Sequence, residues 1–130
     1  MLSDVCPVIH RGGPISTKIF DTICEIQNSR NLDSNIIYRF RSLFEESGKL
    51  EDINEEKNVY NYSTDDGKLG KAAIDNMKTA FHSLKLVLMP FLGVTPEKFD
   101  EMVEACDKEF EDNKSYHEIG RIYGRKKENV

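Results

Sequence analysis

Three histidines, His10, His82 and His117, and three cysteines, Cys6, Cys24 and Cys106, are the side chains best suited to hold a transition metal or to act as base and nucleophile. Their spacing argues against both roles. Only Cys6 and His10 are close in sequence, and two ligands do not make the four-ligand shell that zinc takes. Asp107, Glu109, Glu111, Asn113, Ser115 and Glu118 fall at offsets 1, 3, 5, 7, 9 and 12 of a calcium loop. Position 6 of that loop is Asp112 where glycine makes the sharp turn, and Lys114 places a cation at position 8. Glu45 and Glu46 on one predicted helix, with Glu101, Glu104 and Asp107 on another, offer carboxylates for Mg²⁺. Glu101 and Glu104, however, fall away from the inward positions Phe99, Met102, Val103 and Cys106, so they are expected to face water. No nucleophile elbow, phosphate loop or dinucleotide fingerprint is present. Catalytic residues, metal and cofactor are therefore all expected to be none, and the chain is read as non-enzymatic.

Two other sets can bind. Arg121, Arg125, Lys126 and Lys127 reverse the charge balance over 114–130, in a chain of 130 residues whose net charge is −5. They are the candidate nucleic-acid or anion site. Leu86, Val87, Leu88, Met89, Phe91 and Leu92 form a segment apolar on every side, in a chain only 38% hydrophobic. Apolar surface of that kind marks association sites, so these six are the candidate oligomer interface.

The elements that position them are read as helices. From Leu69 to Val94 apolar residues recur at Ala73, Met77, Ala80, Leu84, Val87 and Phe91, a helical period that Phe81 and Leu88 widen, with Pro90 expected to stop or bend the helix near Met89. Ser16 or Thr17 is expected to cap a helix to Asn28 carrying Ile15, Ile19, Ile23 and Ile26. Asp33 or Ser34 caps another to Ser47, with Ile36, Ile37, Phe40, Leu43 and Phe44 on one face and Gly48 as its left-handed terminator. The short link between these two predicts a packed pair. Thr95-Pro96-Glu97 is the strongest helix start, and Ser115 is expected to cap a last helix with Ile119, Ile122 and Tyr123. Between Leu50 and Lys68 no helical period survives, and this acidic stretch, with VYNY as a short extended piece and Asp65-Asp66-Gly67 as a turn, is expected to be a long loop.

The tail SYHEIGRIYGRKKENV resembles the first helix and turn of a helix-turn-helix: small Gly120 follows Ile119, Gly124 falls at the turn, and Val130 falls where a recognition helix starts. Arg125 departs from the usual apolar position, and no length follows Val130 for the recognition helix. The resemblance implies phosphate attraction without base reading.

A chain of this length buries one core, so the prediction is an all-α, compact single domain of four to five helices, bundle-like or orthogonal, over 15–130, preceded by an extended arm at 1–14 and carrying the long loop at 50–68. The odd cysteine number without a CxxC pair, the lack of a secretory signal and the absence of any run of about 18 apolar residues predict a cytoplasmic protein away from membranes, whether cellular or virus-encoded. The expected function is protein–protein interaction or assembly, with a second copy or another protein as partner. The alternatives are a nucleic-acid-associated regulator and a binder of small anions or nucleotides at a subunit junction, there joined by Arg39 or Arg41.

Overall fold

The computed structural model describes residues 1–63 and 67–128. The chain runs β1 (Leu2–Val5), α1 (Pro14–Ser29), a 3-10 turn (Ile36–Arg39), α2 (Phe40–Ser47), β2 (Leu50–Asn61), α3 (Lys68–Ser83), α4 (Lys85–Leu92), α5 (Pro96–Asn113) and β3 (Tyr116–Lys126). The all-α expectation is thus overturned: five helices surround an antiparallel three-stranded sheet of order β1-β3-β2, which makes the fold α+β. The extended arm at 1–14 supplies β1, paired Leu2 to Ile122 through Val5 to Ile119. Most of the long acidic loop is β2, paired Asn54 to Tyr123 through Asn61 to Tyr116. The expected C-terminal helix is β3, so the helix-turn-helix pattern has no helix to stand on. Val130 and most of the Asp65-Asp66-Gly67 turn lie outside the described residues.

Successive strand residues point to opposite faces, and β3 separates two cores by this alternation. His117 faces the larger core, where Phe20, Ile19, Phe81, Phe99, Val103 and Phe110 from the long helices meet Tyr62. Ile122 faces the other side, against Cys6, Ile37 and Phe40, with Phe44 and Ile53 at the margin. The predicted packed pair of the first two helices is therefore replaced by an arrangement with the sheet between them: α1 packs on α4 and α5, while α2 packs on β2 and β3. Gly120 makes the second core possible. A Cβ there would lie 2.6 Å from Ile37 Cβ, so only glycine lets the 3-10 turn sit on the sheet.

The stretch predicted as one central helix is two, α3 and α4, joined at Leu84. Its buried stripe is Ala73, Ile74, Phe81, Leu88 and Leu92: Phe81 and Leu88, expected at the margin, lie at its centre, while Ala80, Leu84, Val87 and Phe91 are exposed. Apolar doublets at Ala80-Phe81, Val87-Leu88 and Phe91-Leu92 leave the phase open in sequence, and burying a phenyl ring gains far more than burying a methyl. Of the stop or bend expected at Pro90, the stop does not occur, as α4 runs on to Leu92. The carbonyl that Pro90 deprives of a partner belongs to Leu86, which is 84% exposed and open to water.

The start of α5 follows the sequence signal, with Thr95 Oγ1 accepting from Lys98 N at 3.2 Å and Pro96 as the first helical residue. Gly48 ends α2 in the left-handed conformation, as expected. The N-cap of α1 is Gly13, three residues before Ser16, and partners for the first-turn amides come from another helix. Glu109 of α5 accepts from Ile15 N at 3.1 Å, Ser16 N at 2.8 Å and Ser16 Oγ at 2.9 Å, while Ser16 Oγ accepts from Gly13 N at 3.0 Å. A carboxylate at this positive helix end satisfies amides that would otherwise lack partners. Replacing Glu109 with alanine is expected to cost about 1–3 kcal/mol, readable as a lower urea midpoint with an unchanged slope. An unchanged midpoint would mean that water replaces the carboxylate without loss.

Candidate interaction site

The helix α4 divides its apolar residues between two surroundings. Leu88 and Leu92 point into the larger core and Met89 packs against it, so these three of the six candidate interface residues are taken up internally. Leu86, Val87 and Phe91 point outward at 84%, 38% and 57% exposure, joined by Leu84 at the preceding bend. A short helix with both sides apolar cannot bury both in a chain of this size. What remains is a continuous apolar ridge over Leu84, Leu86, Val87, Pro90 and Phe91. Lys85 is the one charged residue on this turn, and Asp100 neutralises it at 2.9 Å.

The basic candidates sit on β3 and are largely engaged. Arg125 is held by Glu51 at 3.1 Å and Asp52 at 2.9 Å, and Arg121 lies 3.8 Å from Glu56 and stacks its guanidinium over Tyr123. Lys126 and Lys127 are exposed at the strand end. Arg39 is paired with Asp33 and Arg41 with Glu45, each at 2.9 Å. Alternation along β3 puts Arg121 and Arg125 on the face away from α2, so the structure does not gather the arginines into one anion site.

No group of three His, Cys, Asp or Glu side chains able to hold a metal is found among the described residues. Asp107 to Asn113 is helical and Tyr116 to Glu118 is strand, so the calcium-loop offsets do not form a loop. Burial pushes the Cys106 thiol up to about 12 and raises Cys24, which leaves both as inert thiols. No helix among the described residues is long and apolar enough to cross a membrane.

Two features escaped the sequence. In the first, Tyr38 donates its hydroxyl to Glu118, whose other oxygen lies 3.4 Å from His10 Nε2, and the His10 ring stacks on Tyr116 at 4.8 Å. Burial of the phenol oxygen and its bond to Glu118 push the Tyr38 hydroxyl above its ordinary range, so it serves as a donor. The cluster ties the β1–α1 connection and the 3-10 turn to β3, and the neighbouring thiol of Cys6 is buried and turned to the Ser34 carbonyl at 3.4 Å. In the second, β2 is an outer strand of the sheet. Beside its end, an open cleft of about 460 Å³ separates Val59, Tyr60 and Asn61 from Leu69, Ala72, Ala73 and Asn76 of α3.

Comparison with protein-family models, with curated proteins and with solved structures finds no match to this chain.

Proposed function

We propose that this chain is a non-enzymatic assembly protein that docks against a second copy of itself through the outer face of α4. The observation that carries it is the ridge of Leu84, Leu86, Val87 and Phe91, large apolar side chains held outward by a helix whose other side is locked into the core. Such a ridge loses free energy in water and gains it on contact, at roughly 25 cal/mol per Å² removed from solvent. The choice of a second copy rests on charge. A two-fold contact sets a surface against itself, which a strongly charged patch would oppose, and this ridge is neutral because Lys85 is matched by Asp100. A nucleic-acid role would instead have to pull Arg121 and Arg125 from the carboxylates that hold them.

Light scattering on size-exclusion fractions tests it. The wild-type chain is expected to be oligomeric at micromolar concentration, and the double variant Leu86→Glu/Phe91→Glu is expected to have a smaller mass with an unchanged melting temperature, since both positions are exposed. A monomeric wild type, or equal masses for the two proteins, would overturn the proposal.

A further inference from the structure

We infer that β2 is a second self-association edge, at which two copies pair their β2 strands antiparallel, with Glu55 of each copy opposite Lys57 of the other. This contact involves different residues from the α4 ridge and does not require it. The sheet order β1-β3-β2 leaves the outer side of β2 without a neighbouring strand among the described residues. Tyr62 N donates to Ser115 O, which turns the even-numbered amides of β2 toward β3. By alternation, Glu55, Lys57, Val59 and Asn61 present their backbone groups outward. Space is open there, as the cleft between 59–61 and α3 shows.

An exposed edge is commonly guarded by a charge such as lysine, because a bare cation in the middle of a strand opposes pairing. Here the guard carries its own complement. Glu55 and Lys57 share one face of the strand and meet at 3.4 Å within the copy, with Lys57 Nζ 5.5 Å from the Tyr38 ring centroid. Read along that face the strand is Ile53, Glu55, Lys57, Val59, and read backwards it is Val, Lys, Glu, Ile. Apolar meets apolar and each charge meets its opposite when the strand is laid antiparallel on a copy of itself with Glu55 facing Lys57. The neighbouring registers lack this match. Shifting one way sets Lys57 on Lys57 and Glu55 on Val59; shifting the other sets Glu55 on Glu55 and Lys57 on Ile53. On the opposite face the favoured register pairs Asn54 with Asn58 of the second copy. It also sets the two Glu56 side chains across the axis, where Arg121, 3.8 Å from Glu56 in each copy, offsets their repulsion.

Charge reversal tests the pairing in the Leu86→Glu/Phe91→Glu background, where the α4 contact is removed and edge pairing alone is read. Association is measured by sedimentation from micromolar to near-millimolar concentration, with circular dichroism to verify folding. Glu55→Lys and Lys57→Glu each place like charges opposite one another twice, and each is expected to weaken self-association roughly ten-fold or more. Mixing the two variants restores every opposite pair, so the mixture is expected to associate as the parent does, and the double swap Glu55→Lys/Lys57→Glu is expected to do so on its own. A parent that stays monomeric throughout the range, single reversals that associate unchanged, or a mixture no stronger than its components would each overturn the inference, while leaving the α4 proposal to its own test.

Discussion

Lowering the pH from 7 to 4 is expected to cost this fold about 3 kcal/mol through His117 alone. The ring is fully buried, against Phe20 and Tyr62. Burial pushes its pKa down to about 4 from the ordinary 6.5, with the Pro7 backbone pulling the other way and nearby His10 adding to the fall. Tyr62, raised by its own burial, keeps its proton, and its hydroxyl is hydrogen-bonded to His117 Nδ1 at 2.6 Å. A histidine whose folded pKa lies below its unfolded value is neutral in the native state while the unfolded chain takes up a proton. Stability is therefore full above about pH 6.5, falls as the pH drops toward 4, and levels off once the folded ring also protonates; the gap of about 2.5 units sets the size. Urea unfolding at pH steps between 7 and 4 reads the slope. His117→Gln is expected to be less stable at pH 7 but to lose this part of the slope, and equal slopes for the two proteins would show that some other group carries the acid sensitivity.

Gly70→Ala is expected to have the second large effect. A methyl group at Gly70 would stand 1.6 Å from Ser63 O and 2.6 Å from Ser63 C, both backbone atoms with no rotamer to swing away. Alanine in a helix ordinarily gains about 0.5–1 kcal/mol over glycine. That gain is outweighed here, because the first turn of α3 must lift off the end of β2, at the upper end of the roughly 1–3 kcal/mol that overpacking costs. The expected result is a melting temperature lower by about 5–10 °C. A variant as stable as the wild type would show that the start of α3 shifts freely.

The helices were largely legible, because amphipathic stripes and caps such as Thr95-Pro96 act within a few residues of themselves. The sheet was not. In β2, period-two alternation is present from Ile53 to Tyr62, but Glu55, Glu56, Lys57 and Asn58 leave little contrast between the faces, and this stretch is exposed or only half-buried. In β3, Ile119, Ile122 and Tyr123 imitate helical spacing. A central strand with a core on each side also places apolar residues at odd intervals, and Ile119 and Ile122 in fact lie on opposite faces. Gly120, read as part of a helix-turn-helix, is instead a strand residue against which Ile37 of the 3-10 turn, distant in sequence, packs closely. The α4 ridge was half legible. Its composition announced surplus apolar surface, whereas Leu88 and Leu92 were assigned to the core only by the packing of α1 and α5.

The central place of β3 also governs the order in which the molecule can form. Both outer strands depend on it, and Leu2 cannot find Ile122 until the intervening chain has left the ribosome, a wait of about 6–24 s at roughly 5–20 residues per second. During that interval the helices can already be made from local contacts, while β1 and β2 stand with neither side paired. Such long-range closure is the slow part of folding. An emerging chain of this design is thus most exposed to capture by chaperones, or by a neighbouring nascent copy, in the seconds before its final strand appears.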